Sequence, residues 1–80
     1  MYKKNKYSFY KEECVVYNTE TADLHLLTLF NAELLKMINK EVDKSLIIDK
    51  VMRYHGIDEM DSVLSIEKIV SEFKSLNLVL

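Results

Sequence analysis

Apolar and polar positions change rhythm along this chain, from short alternating runs in the first third to three- and four-residue spacings in the rest. The first part centres on residues 13 to 27, ECVVYNTETADLHLL. The apolar run Cys14-Val15-Val16-Tyr17 is followed by polar Asn18-Thr19-Glu20-Thr21 and then by a second apolar run from Leu24 to Leu27. Short β-branched, aromatic and aliphatic runs, joined by side chains that hydrogen-bond their own backbone in turns, predict a β-hairpin. Its strands are Glu13 to Tyr17 and Asp23 to Leu27. Upstream, Tyr7-Ser8-Phe9-Tyr10 supplies a short first strand before Lys11-Glu12-Glu13 turns the chain, and residues 1 to 6 read as a frayed arm. At period two, Cys14 and Val16 share one face and Val15 and Tyr17 the other, so the second strand is expected inside the sheet with cover on both sides. In the third strand Leu24 and Leu26 oppose Asp23, His25 and Leu27, giving one apolar and one mixed face. That strand is the expected free edge.

From Thr28 onward the spacing is helical. Thr28 can accept a hydrogen bond from an amide of the first turn. Leu27, Asn31, Leu34, Leu35 and Ile38 form a stripe flanked by Phe30 and Met37. Glu41-Val42-Asp43-Lys44 breaks the pattern, and Asp43 or Ser45 caps a second helix to about Tyr54, striped by Ile47, Val51 and Tyr54. Gly56, the only glycine, falls where a left-handed terminus is wanted. The acidic stretch 58–62 reads as a loop leading to the N-terminus of a third helix, roughly Val63 to Leu76, with Val63, Ile66, Ile69, Val70, Phe73 and Leu76 inward. Asn77 ends it, and Leu78-Val79-Leu80 is expected to fold back onto the core. The prediction is one α+β domain over 1–80, a three-stranded antiparallel sheet followed by three helices (βββααα), an order that winged helix-turn-helix-like domains adopt.

Composition narrows the chemistry. At 80 residues, 49% apolar and 30% charged, the chain has the profile of a globular domain. No run approaches the ~18 apolar residues of a membrane span, and no signal-peptide segment follows Lys3, Lys4 and Lys6, so the cytoplasm is the expected compartment. Cys14, the single cysteine, is expected as a small buried residue. The formal net charge is -2. Four of the eleven basic residues lie in the first eleven positions, which leaves seven against thirteen acids in the remainder and argues against a nucleic-acid footprint. His25 and His55 belong to no nucleophilic or metal-ligating motif, and Asp58, Glu59 and Asp61 lack the pattern of a calcium loop. No enzyme activity, cofactor or metal is expected. Tyr2, Tyr7, Phe9, Tyr10 and Tyr17 read as sheet core, since no basic platform accompanies them for base stacking.

Several residues carry a family resemblance. The VVYN strand, the segment Thr21-Ala22-Asp23-Leu24-His25-Leu26-Leu27 and the helix containing Ala32-Glu33-Leu34-Leu35 together resemble the PqqD-like family, whose members recognise precursor peptides of ribosomally made, post-translationally modified peptide pathways. In one branch the corresponding strand reads Ser-Gly-Asp-Thr-His-Leu-Leu. Asp23, His25, Leu26 and Leu27 match it, Thr21 replaces serine, Ala22 glycine and Leu24 threonine. The stretch from Ile69 to Val79 is similar to the family's final helix, with Asn77 in place of a glycine. Alanine is accommodated wherever the backbone torsion is negative, so Ala22 in place of glycine bears on the exact turn and leaves the strand expected.

The resemblance implies a function. Family members bind the leader segment of a precursor peptide as an added strand beside the third strand, in a groove bounded by the third helix, and present it to a separate maturation enzyme. That enzyme is a radical-type maturase, a cyclodehydratase or a leader protease. Here the implied edge is Ala22, Asp23, Leu24, His25 and Leu26, and the wall is Lys68, Ile69, Glu72, Phe73 and Leu76. Lys68 and Glu72, four residues apart, either meet charged leader side chains or pair with each other. Two other classes share the architecture. A winged-helix DNA-binding protein needs a basic recognition helix, where Ile47 to Tyr54 offers only Lys50 and Arg53. A general interaction or oligomerisation domain also uses an open edge, which permits pairing of two copies. The opening methionine leads us to expect a free-standing protein.

Overall fold

A computed structural model describes residues 5–79. Three strands, β1 (Asn5–Phe9), β2 (Glu13–Asn18) and β3 (Asp23–Thr28), are followed by three helices, α1 (Leu29–Asn39), α2 (Lys44–His55) and α3 (Glu59–Ser75). The protein has the expected α+β, βββααα fold. The sheet is antiparallel in the order β1-β2-β3, so the hairpin strand β2 is central and β3 lies at an edge.

Register decides which face is inside. Val16 opposes Tyr7 and His25, and Cys14 opposes Phe9 and Leu27. Directly opposed residues share a face. Cys14 and Val16 are fully buried and pack with Ala32 and Leu35 of α1, Phe73 of α3 and the tail residues Leu78 and Val79. A second cluster joins Phe30 and Leu34 of α1 to Ile47 and Val51 of α2 and Ile66 of α3. The α1 and α3 helices therefore cover one face of the sheet, and α2 packs against those two helices.

Four sequence expectations change here. The second strand has cover on one side only: Val15 is half-buried and Tyr17 exposed. Only Tyr7 among the described candidate sheet aromatics packs against the core, while Phe9, Tyr10 and Tyr17 are exposed and Tyr2 lies outside the described residues. The first strand takes in Asn5 and Lys6, which pair with Asn18 and Tyr17; the remaining arm residues, 1–4, lie outside the description. Finally, α3 begins at Glu59 instead of Val63. The Asp58 side chain accepts from the Asp61 amide at 2.8 Å, and Glu59 and Asp61 sit in the first turn, where the helix dipole favours acids.

Other expectations hold. Thr28 Oγ1 accepts from the Asn31 amide at 3.1 Å to cap α1, and Asp43 rather than Ser45 caps α2. Each helix ends on a left-handed residue, at Glu41, Gly56 and Asn77. In each case the following amide reaches back to a carbonyl five residues earlier: Val42 to Met37, Ile57 to Met52, and Leu78 to Phe73. The last of these turns Leu78 and Val79 inward, where both are buried; Leu80 lies outside the description.

Candidate functional site

The implied peptide edge, Ala22 to Leu26, occupies the turn into β3 and the strand itself. β3 pairs only with β2 among the described residues, so alternate backbone amides and carbonyls on its far side face no strand. Its apolar side chains point away from the core. Leu24 and Leu26, opposite Tyr17 and Val15, are 68% and 63% exposed on the outer face of the sheet. The mixed set turns inward: Leu27 packs on the core beside Cys14, and His25 is half-buried opposite Val16. His25 Nε2 is buried without a hydrogen-bond partner among the described residues. An unmet buried polar atom costs about 1–3 kcal/mol, so this nitrogen is a local weakness of the isolated domain.

Ala22 sits in the turn before β3. Its φ is +62°, in the left-handed region rather than the negative one. Its amide donates to the Asn18 carbonyl at 2.8 Å, closing the turn. A glycine adopts this torsion without a Cβ clash, which gives a physical reason for glycine at the matching position of the resembled family.

The proposed wall divides into two parts. Phe73 is only 2% exposed and Ile69 half-buried, and both belong to the cluster that includes Cys14, Val16 and Leu27. Phe73 is thus a core residue beneath the site rather than a surface that a peptide can touch. Lys68, Glu72 and Leu76 are exposed, and no ion pair joins Lys68 to Glu72 among the described residues. The structure brings Ile69 and Phe73 into one packing unit with β3 and leaves Lys68, Glu72 and Leu76 on the open side of α3.

Asn18 ties the two walls together. Its Oδ1 accepts from the amides of Glu20 at 2.9 Å and Thr21 at 3.3 Å, shaping the turn before β3. Its Nδ2 donates to the Asn77 carbonyl at 2.7 Å, at the end of α3. Two further amides, Asn5 Nδ2 at 2.9 Å and Asn39 Nδ2 at 3.2 Å, donate to the Leu78 carbonyl. Buried carbonyls of an irregular tail need such partners, and three asparagines supply them.

One part of the surface escaped the sequence reading. At the Thr28 end of β3, Glu12 and Glu13 line a shallow cavity of about 260 Å³ with Leu26, Leu27 and Thr28. Glu13 directly opposes Thr28, a pairing that the register reveals and local sequence does not. Neither glutamate is in an ion pair with a described residue.

Elsewhere, Lys50 pairs with Glu33 and Arg53 with Asp49, each at 3.0 Å, so the two cations of the supposed recognition helix are engaged with acids. Burial pushes the Cys14 thiol above its ordinary range, opposed in part by the Ser8 backbone hydrogen bond and the Lys36 charge. Among the described residues no group of three or more His, Cys, Asp or Glu is placed to hold a metal ion, and no helix is long and apolar enough to cross a membrane. No family model matches the chain, nor does any curated protein or solved structure.

Proposed function

We propose that this chain is a non-catalytic peptide-binding domain of the PqqD-like kind, built on a winged-helix-like plan. It captures the leader segment of a ribosomally made precursor peptide by strand addition to β3 and presents it, in the cytoplasm, to a separate maturation enzyme. The observation that carries this reading is β3 itself: an edge strand with one backbone side unpaired among the described residues and two leucines exposed beside it. A strand laid along that edge pairs the open amides and carbonyls and covers apolar surface at the same time. The Asn18 bridge supports the reading further, because it holds the end of α3 at the start of β3. Presentation requires only modest affinity, since tethering raises the local concentration of the core peptide at the enzyme.

The test is a titration of the ¹⁵N-labelled protein with leader peptides encoded near its gene and, separately, with duplex DNA. Saturable amide shifts along Asp23 to Leu26 with peptide and none with DNA are expected. Salt-sensitive DNA binding without a peptide response would sink the proposal. A short precursor reading frame and a maturation enzyme are expected in the gene's neighbourhood.

The exposed Tyr17, Leu24 and Leu26, beside the half-buried Val15, also favour a second reading, self-association through the same edge. Sedimentation across a concentration series separates the two.

A further inference from the structure

Resting on the strand-addition reading, we infer which peptide the β3 edge selects: one in which a hydrogen-bonding residue lies between two apolar residues, with a Lys or Arg two positions beyond the second. Register alone sets the spacing. A strand added beside β3 places the side chains opposite Leu24, Leu26 and Thr28 on the outer face and those opposite His25 and Leu27 on the inner face. Apolar residues opposite Leu24 and Leu26 cover the most exposed apolar side chains of the strand. The residue between them lies opposite His25 on the inner face, where Nε2 is buried and unpartnered among the described residues. An imidazole nitrogen donates or accepts according to tautomer, so a hydroxyl, amide or carboxylate side chain answers it, whereas a methyl group leaves it unmet.

The third feature is electrostatic. A side chain opposite Thr28 has the small threonine between itself and Glu13, and beyond Thr28 lies the cavity that Glu12 and Glu13 share with Leu26 and Leu27. A Lys or Arg has the length to lay its aliphatic stem across Thr28 and Leu26 and bring its charge to the two carboxylates. The spacing is the same whether the peptide runs parallel or antiparallel to β3, read in the corresponding direction.

Charge also separates this occupant from a second copy of the chain. An antiparallel β3–β3 pair centred on His25 reproduces the apolar–polar–apolar match, placing each Leu24 opposite the other copy's Leu26. The same pairing puts Ala22 of one copy opposite Thr28 of the other, so a second copy brings no base to Glu12 and Glu13. A basic peptide thus answers the two carboxylates that a second copy leaves unmet.

The full chain is panned against a random peptide library, and the enriched peptides are synthesised and titrated by fluorescence polarisation, with ¹⁵N amide shifts locating each. The expected result is enrichment of the apolar–polar–apolar–any–basic spacing. Replacing the basic residue of a selected peptide by Glu should weaken binding about three- to tenfold, and a Glu12→Lys/Glu13→Lys variant should reverse that order. A His25→Leu variant, checked for folding by circular dichroism, should lose its preference for a polar central residue while still binding. Peptides that shift β3 amides but show no basic preference, or no change of central preference in His25→Leu, overturn this specificity while strand addition stands. An absence of any peptide binding at β3 overturns both, and concentration-dependent dimerisation that protects the β3 amides assigns the edge to a second copy and overturns the peptide proposal.

Discussion

Ala22 carries a torsion that its side chain resists. A left-handed φ costs a non-glycine L-residue about 1–2 kcal/mol, and a glycine there gives back some of that through the greater entropy of its unfolded chain. Ala22→Gly is therefore expected to stabilise the domain by roughly 0.5–1 kcal/mol, read as a higher denaturation midpoint in urea with an unchanged slope. A lower midpoint would mean that the turn is not held as described. Cys14 gives the other single-residue expectation. Its thiol is buried and its pKa raised, so between the ordinary thiol value and the raised native one the folded state binds more protons than the unfolded state. The stability this burial maintains is complete below about pH 8.5 and declines as pH rises above it. Alkylation at pH 8 should track global unfolding; rapid labelling of the folded protein would refute the buried, protonated thiol.

At the scale of elements, β3 and α3 show what a local pattern reveals and what it leaves out. The strand and its alternation were legible in the run from Asp23 to Leu27, because period two needs only neighbouring residues. Which set faces inward was not, since that depends on pairing with Cys14 and Val16 and on helices arriving much later in the chain. The result reverses ordinary expectation: the two leucines are outside and the histidine inside. It makes a sharp prediction. Leu24→Thr and Leu26→Thr should each change stability by no more than about 0.5 kcal/mol, as surface substitutions do, while weakening peptide binding. Leu35→Ala, on the buried face of α1, should cost about 2–5 kcal/mol in the same urea titration. A large loss of stability at Leu24 would place it in a core that the described fold does not give it. The start of α3 was missed for a related reason. Asp58 to Ser62 lacks apolar periodicity, yet an aspartate cap and acids in the first turn need none, because they act on free amides and the helix dipole. Of the implied wall, Lys68 and Glu72 were legible as surface and Ile69 and Phe73 as the inward stripe, whereas Leu76, on that same stripe, is exposed at the helix end.

The whole molecule is a slab of 37 × 27 × 18 Å, a sheet with helices on one face, and so small a body has little stability to spare. Its C-terminal tail is the piece that unites the layers. Leu78 is completely buried in the cluster shared by β2, α1 and α3, and its carbonyl accepts from asparagines on β1 and α1. Asn18, on β2, holds the neighbouring Asn77 carbonyl while shaping the turn into β3. Removing residues 77–80 takes away a leucine side chain from a closed core and strips three asparagine amides of their acceptors. Together these should cost about 3 kcal/mol or more. At roughly 4–8 °C per kcal/mol for a domain of this size, the melting temperature should fall by at least about 12 °C. Circular dichroism melts of the full and shortened chains measure it directly. The consequence for binding is equally specific. With Asn18 released from the tail, the end of α3 is no longer tied to the start of β3, so a shortened chain kept folded in the cold should still bind peptide along β3, but more weakly than the full protein. An unchanged melting temperature would refute the central role given to the tail, and unchanged affinity would show that the strand edge selects its peptide without the helix.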